Sequence, residues 1–284
     1  MGDWSAWIGR EERRTDTLDP ALVARWLATL DRAAPADSTL PQGIHFCLCT
    51  PDAPTAALGA DGHPARDESA ASFMPPIPLP RRMWAASDIA FLAPLSVGAA
   101  IARTSRIVSV EQKEGRSGAL GFVEVEHLTK ADGTDAVREV QTLVYREASA
   151  PDAPLTPPEP SEDAFGTKAW DVVKTITPSS ALLFRYSALT FNTHRIHYDA
   201  PYARDVERYR GLVVHGPLMA TLLLDLAAQK YGDNALDRFA FRAQSPAIAD
   251  EPLHLAMREA DTGLELGSFA ADGRQVLKAS ASLR

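Results

Sequence analysis

Phe191-Asn192-Thr193-His194-Arg195-Ile196-His197-Tyr198-Asp199 is followed by Gly211-Leu212-Val213-Val214-His215-Gly216-Pro217-Leu218. Three of the seven histidines of the chain lie between positions 194 and 215. The second segment opens an apolar run with His-Gly-Pro, and Pro217 presets the first turn of a helix. Over 217–230, Leu218, Met219, Leu222, Leu223, Leu224, Leu226 and Ala227 cover most of the helix circumference, so this helix is expected to be buried. Gly232 suits its C-terminal cap.

These residues suit proton transfer. A neutral imidazole titrates near the operating pH, so it can take a proton from water and return it. Adding water across a C=C conjugated to a thioester carbonyl places negative charge on the carbonyl oxygen. A backbone N–H at a helix N-terminus answers that charge, together with the helix dipole. Gly216 occupies such a position, and its missing side chain lets a thioester approach. A metal reading would use His194 and His197 at i and i+3 with Asp199. It lacks the glutamate of a metalloprotease helix and a distant ligand set, so proton transfer is the better account and no metal is expected.

Outward from this centre, Asp19-Pro20 opens an amphipathic helix bearing Leu22, Val23, Trp26, Leu27 and Leu30, expected to end near Pro35. Positions 50–80 hold seven prolines and read as a loop long enough to imply a function or mobility. Strands are expected over 87–91, 100–110, 119–129 and 139–146, with hairpin turns at Glu114-Gly115 and Asp132-Gly133. Positions 148–161 are rich in proline and acidic residues and read as a linker. The second half offers a strand near 170–177 and a segment started by Ser179-Ser180. After the histidine turn and the helix come strands over 238–245, 252–259, 264–270 and 276–283, with turns at Asp261-Thr262-Gly263 and Asp272-Gly273. Each half thus reads as one helix plus antiparallel strands. Duplication is inferred from layout alone, without a residue-level repeat.

The histidine turn and its His-Gly-Pro helix start resemble the active-site segment of the hot-dog-fold (MaoC-like) enoyl-thioester hydratases and hydroxyacyl-thioester dehydratases. That resemblance implies an α+β chain with a double hot-dog fold, two antiparallel sheets each wrapped around a central helix and running together. The expected organisation is an N-terminal hot-dog domain over 1–150 that accommodates substrate and CoA, a linker over 151–165, and a catalytic hot-dog domain over 166–284. The family pattern is Asp, any residue, Asn, Pro, an aliphatic and His. On this chain Asn192 stands at the Asp place, His194 at the Asn place, Ile196 at the aliphatic and His197 at the catalytic His, with Gly216 at the oxyanion-hole glycine. The chain departs at Asn192 and at Arg195, which stands in the Pro place. An amide is no base at neutral pH, so His197 is expected to be the principal base while Asn192 orients water.

The form Leu189-Thr190-Phe191-Asn192-x-His194-x-Ile196-His197-Tyr198-Asp199, with Leu79-Pro80-Arg81-Arg82-Met83-Trp84-Ala85, looks like the branch containing mesaconyl-C4-CoA and itaconyl-CoA hydratases. The implied substrate is a short branched dicarboxylic enoyl-CoA. A fatty-acid-type 3-hydroxyacyl-thioester dehydratase and a non-catalytic acyl-CoA binder are the alternatives. CoA belongs to the substrate, so no separate cofactor is expected. A carboxylate entering an apolar tunnel must meet a cation, and Arg81, Arg82, Arg185 and Arg195 are the candidates. Trp84, His194 and His215 complete the expected substrate-binding set. Asp199 is read first as the cap of a short helix reaching Tyr202.

The 284 residues include 45% hydrophobic and 23% charged residues, as in a globular protein. The net charge of −8 argues against general affinity for nucleic acid or an anionic membrane surface. No apolar run is long enough to span a bilayer, and the N-terminus lacks the layout of a secretory signal. A cytoplasmic setting is therefore expected; the expected assembly is a homodimer. The only two cysteines, Cys47 and Cys49, stand too close in sequence for an ordinary disulfide. With His45 they could offer three metal ligands, but the alternation in His45-Phe46-Cys47-Leu48-Cys49 reads more simply as a short strand.

Overall fold

The computed structural model describes residues 4–35, 37–115 and 118–284. Its first half runs β1 (Glu11–Thr17), α1 (Pro20–Thr29), β2 (Thr39–Leu40), β3 (Arg81–Phe91), β4 (Leu95–Ser96), β5 (Ala100–Gly115), β6 (Gly118–Ala131) and β7 (Thr134–Arg146). Its second half runs β8 (Val172–Ile176), α2 (Ser180–Leu189), α3 (Ala200–Asp205), α4 (Gly216–Tyr231), β9 (Leu236–Ala243), β10 (Leu253–Ala260), β11 (Gly263–Ala270) and β12 (Gln275–Leu283). Ten strands form one antiparallel sheet in the order β1-β5-β6-β7-β3-β9-β12-β11-β10-β8, while β2 and β4 pair separately. Read inward from either edge, both halves follow one order: first strand, third, fourth, fifth, then second at the seam, counting β2 and β4 apart. The duplication is therefore visible in topology. The seam is the pairing of β3 with β9, from Ala86↔Arg242 to Ala90↔Arg238.

Local chemistry sets the ends of these elements. Asp19 caps α1 by accepting from the N–H groups of Ala21 and Leu22. That helix stops at Thr29, earlier than expected, because Asp31 turns into the left-handed region at φ 53°. Asp132 (φ 49°) and Gly133 (φ 83°) make the two-residue turn joining β6 to β7. The expected Glu114-Gly115 turn leads into positions 116–117, which lie outside the described residues. The segment started by Ser179 is a helix, with Ser179 capping Leu182 N–H.

Helix α4 is the centre of the core. All ten residues from Leu218 to Ala227 are buried. One face lies on β10, β11 and β12. Toward the other half, Leu224 and Thr221 lie close to Gly43, and Arg32 pairs at 3.0 Å with the buried Asp225. The expectation of a central helix in each half needs correction, since the first half has no counterpart of α4 among the described residues. Pro41, Gly43, Pro51 and Pro54 interrupt the corresponding stretch, and proline inside a helix removes a hydrogen bond and clashes. Short 3-10 turns, Ile44–Cys47 and Thr55–Ala57, stand there instead, and the first of them lies nearest α4. It also replaces the expected Cys47/Cys49 strand. Both thiols are buried and free. No helix among the described residues is long and apolar enough to cross a membrane.

A second apolar cluster gathers Trp4, Ile77 and Leu79 over Ile107, Val123, Val125 and Tyr145. It anchors the proline-rich segment. Arg66 adds hydrogen bonds to the carbonyls of Ile77 and Pro80, each at 2.8 Å. These ties hold the 50–80 segment against the sheet, with its 60–63 turn close to the histidine turn of the second half.

Candidate active site

The histidine turn begins where α2 ends. Phe191 adopts φ 48°, Asn192 N–H bonds back to Ser187 O at 2.9 Å, and Asn192 Oδ1 accepts from His194 N–H at 3.0 Å. A 3-10 turn over Arg195–His197 follows, and Asp199 then caps α3 by accepting from Tyr202 N–H. The capping role expected of Asp199 is thus present. Asn192 commits its carbonyl oxygen to the turn, which leaves the amide NH2 as its other polar group.

His197 is buried, and its Nδ1 sits 2.7 Å from the carbonyl oxygen of Val213. A carbonyl only accepts, so Nδ1 carries the proton and Nε2 is left as a basic nitrogen. The ring stacks on His215 with centroids 3.6 Å apart and planes at 19°. His215 is the N-cap residue of α4, with Nε2 2.9 Å from Ser187 Oγ. It is 1% exposed, so it supports the ring of His197 from beneath and does not line a substrate pocket as expected. Gly216 comes next, at the first turn of α4, where N–H groups have no intrahelical acceptor. A Cβ placed on Gly216 would find its nearest neighbour, the carbonyl oxygen of Trp84, only at 4.0 Å. The space that a side chain would take at this position is open.

His194 stands edge-on to His197 at 5.6 Å. Its own ring faces His63 at 4.1 Å, and His63 Nδ1 is 3.0 Å from Asp61 Oδ2. A column therefore runs Asp61, His63, His194, His197, His215, Ser187. Its first two members come from the proline-rich loop of the first half. Arg195 N–H donates to Asp61 O, the Thr193 hydroxyl donates to Gly62 O, and Arg195 Nη1 donates to Ala60 O. Sequence reasoning missed Asp61, His63 and Ser187. Asp61-Gly62-His63 inside an over-long loop was the available signal.

The arginines separate clearly. Arg195 pairs with Asp199 and lies over the Tyr202 ring at 4.1 Å, so it serves the loop contact. Arg81 is buried and paired with Glu207 at 2.5 Å. Arg185 is exposed on α2, beside Leu22, Arg25 and Phe184 of a surface depression, and is not brought to the column. Arg82 is half-buried, makes no ion pair among the described residues, and its charge acts on His63 and His194. Trp84, two residues along the same face of β3, packs on Phe46 and Phe241 beside Gly216.

Among the described residues, Asp61, His63 and His194 form the one group spaced for a metal, their ligand atoms lying within 4.8 Å of one another. His63 turns its Nδ1 to Asp61 and its ring face to His194, which is a hydrogen-bonded stack. In that arrangement the His63–Asp61 pair is satisfied without an ion.

Burial keeps the imidazoles of the column neutral. It lowers His194 and His197 to about 3, with neighbouring imidazoles adding to the effect, and it lowers His63 and His215 as well. Burial, the largest single influence, would raise Asp61, but its side-chain and backbone hydrogen bonds with His63 and the charge interactions with His63 and His194 together outweigh it and hold Asp61 at about 2. Elsewhere in the core, burial brings His45 to about 3 and His127 to about 4. Each of these histidines binds its proton more weakly in the native state than when unfolded. Stability must therefore fall as pH drops from about 6.5 toward 4. Glu139, raised to about 7 by burial, has the opposite sign and loses its contribution as pH rises through 7. Six histidines outweigh one glutamate, so Tm should be lower at pH 5 than at pH 7.5. Thermal scans across that range check the sign, and a Tm that rises on acidification would contradict it.

Residues 43–249 match the family model for hydroxyacyl-thioester dehydratase type 2 (Htd2). The chain is 42% identical to the mesaconyl-C(4)-CoA hydratase of Chloroflexus aurantiacus, over 99% of this chain and 98% of that protein. It is 28% identical to the mitochondrial hydroxyacyl-thioester dehydratase type 2 of Schizosaccharomyces pombe, over 91% and 96%. Among solved structures it resembles HtdX of Mycobacterium tuberculosis, with TM-score 0.67 and 18% identity over 97% and 100% of the two chains. A second Mycobacterium tuberculosis protein, described as having a double hot-dog fold, aligns with TM-score 0.58 and 12% identity over 96% and 95%.

Proposed function

We propose, for a chain that belongs to the hydroxyacyl-thioester dehydratase type 2 family, that it hydrates a short, carboxylate-bearing enoyl-CoA of the mesaconyl-C4-CoA class and catalyses the reverse dehydration. The observation that supports this most is the placement of His197. Its Nδ1–H is pinned to Val213 O, its Nε2 is unprotonated, and its ring stacks on the residue immediately before Gly216. The base and the free helix-terminal amide thus stand side by side.

In this reading the thioester carbonyl lies against Gly216 N–H. His197 Nε2 takes a proton from water as the oxygen bonds to Cβ. The π electrons move onto the thioester oxygen, where the amide and the α4 dipole hold them. The proton then passes to Cα as the enolate collapses. In this reading the Asn192 amide NH2 holds the water or the product hydroxyl. The first half accommodates the CoA ester along β3 and the second half supplies the base, with CoA entering as part of the substrate.

Arg82 is the cation that meets the distal carboxylate, because the other three candidates are paired or displaced. Arg82→Met should lower kcat/KM for mesaconyl-C4-CoA by about a hundredfold, the loss of a charge-assisted contact in a partly desolvated site. Crotonyl-CoA, which has no distal charge, should change only a few-fold. Enoyl-thioester absorbance follows both. A wild type that prefers long, uncharged enoyl chains would refute the assignment.

A further inference from the structure

His197 must become an imidazolium, if only briefly, between water and Cα. Nothing beside it offsets that charge. Its Nδ1 partner is a neutral carbonyl, and its stacking partner His215 is a buried imidazole with an unpartnered Nδ1. Of the charged groups around the column, Arg81, Arg82 and Arg66 are positive, and Glu207 is already paired with Arg81. One carboxylate remains without an arginine or lysine partner. Asp61 bonds to His63 at 3.0 Å, and one of its oxygens is within 4.8 Å of a ligand nitrogen of His194. Three separate contacts from positions 193–195 hold the loop that carries it.

We propose that Asp61 is the positioning carboxylate of this active site, supplied by the first half of the chain to orient His63 and His194 and to offset the positive charge that develops on the histidine column. Asp61 stays ionised throughout. Water loses one proton to an imidazole nitrogen as its oxygen bonds to Cβ, and that same proton ends on Cα, so no other reactant is needed. The field of Asp61 reaches the reacting imidazole through His63 and His194, whose rings span the gap at 4.1 and 5.6 Å. The first half is thereby a source of active-site charge as well as a cover for the acyl chain.

This inference rests on the hydratase reading, and two measurements on the full chain separate the fates of the two. With crotonyl-CoA, Asp61→Asn should lower kcat about thirtyfold, the scale of a screened unit-charge attraction at an intermediate effective dielectric, with KM within about threefold. Asp61→Glu should recover part of that loss. Imidazole 15N spectra at pH 7.5 should show His63 protonated at Nδ1, with a strongly hydrogen-bonded proton that moves upfield in Asp61→Asn. Unchanged kcat together with an unchanged His63 signal would overturn the proposal. So would activity lost to a chelator and restored by zinc, since the three groups would then be metal ligands. A wild type that turns over no enoyl-CoA, yet shows the His63 shift, would retire the hydratase reading and leave the Asp61 coupling standing.

Discussion

Alanine at position 197 is expected to lower kcat by about two to three orders of magnitude, the usual contribution of a positioned acid/base, while KM changes little. The ring removed is the one whose Nδ1 is held by Val213 O and whose face lies 3.6 Å from His215. His215 remains held by Ser187 and α4 remains buried, so the fold should persist. The pH profile gives a second readout. Burial keeps the ring near 3, so the base is already deprotonated across the physiological range. Wild-type kcat/KM should then stay on its plateau as pH falls from 8 to about 5.5, without the loss near 6.5 expected of an exposed histidine. Steady-state hydration of crotonyl-CoA measures both effects. Near-full activity in the alanine variant would remove His197 from the mechanism.

Much of the second half was legible because its signals are local. The apolar run after Pro217 and the spacing of Asn192, His194 and His197 lie within forty residues of each other. Gly232 and Ser179 act at the helix ends where they stand. The first half hid more. Strand β1 reads Glu-Glu-Arg-Arg-Thr-Asp-Thr, an edge strand with no apolar alternation to betray it. The alternation around Cys47 and Cys49 spans too few residues to separate a strand from a 3-10 turn, and Gly43 at φ 108° decides for the turn. Asp61 and His63, the missed residues of the first half, share one cause. Thr193 and Gly62 are 131 positions apart, and only the continuous ten-stranded sheet brings them together. No periodicity encodes such a contact.

The loss of the first half's central helix and the gain of the Asp61-Gly62-His63 turn are two aspects of one arrangement. Without a helix there, the chain between α1 and β3 is free to run as a long segment, pinned by Ile77 and Leu79 to the outer cluster. Its tip then meets the histidine turn of the other half. The histidine column is thus assembled from both halves of the chain, with His197 from one and Asp61 from the other.

Gly62→Ala should therefore cut kcat about a hundredfold, a loss comparable with removing an acid/base group. Gly62 adopts φ 87°, and a Cβ there would overlap the carbonyl oxygen of Thr193, a backbone atom that cannot move aside. The loop must lift, carrying Asp61 and His63 away from His194 and breaking the bonds to Thr193 and Arg195. Gly98 provides the control, because it has the same φ of 87° and a Cβ there would meet nothing within 4 Å. Gly98→Ala thus isolates the backbone strain of a left-handed alanine, about 1–2 kcal/mol, from the steric loss of the latch. It should lower Tm by a few degrees and leave kcat intact. Crotonyl-CoA hydration and thermal scans on the two variants decide the matter. Equal losses of kcat in both would mean that strain, and not the meeting of the two halves, governs the site.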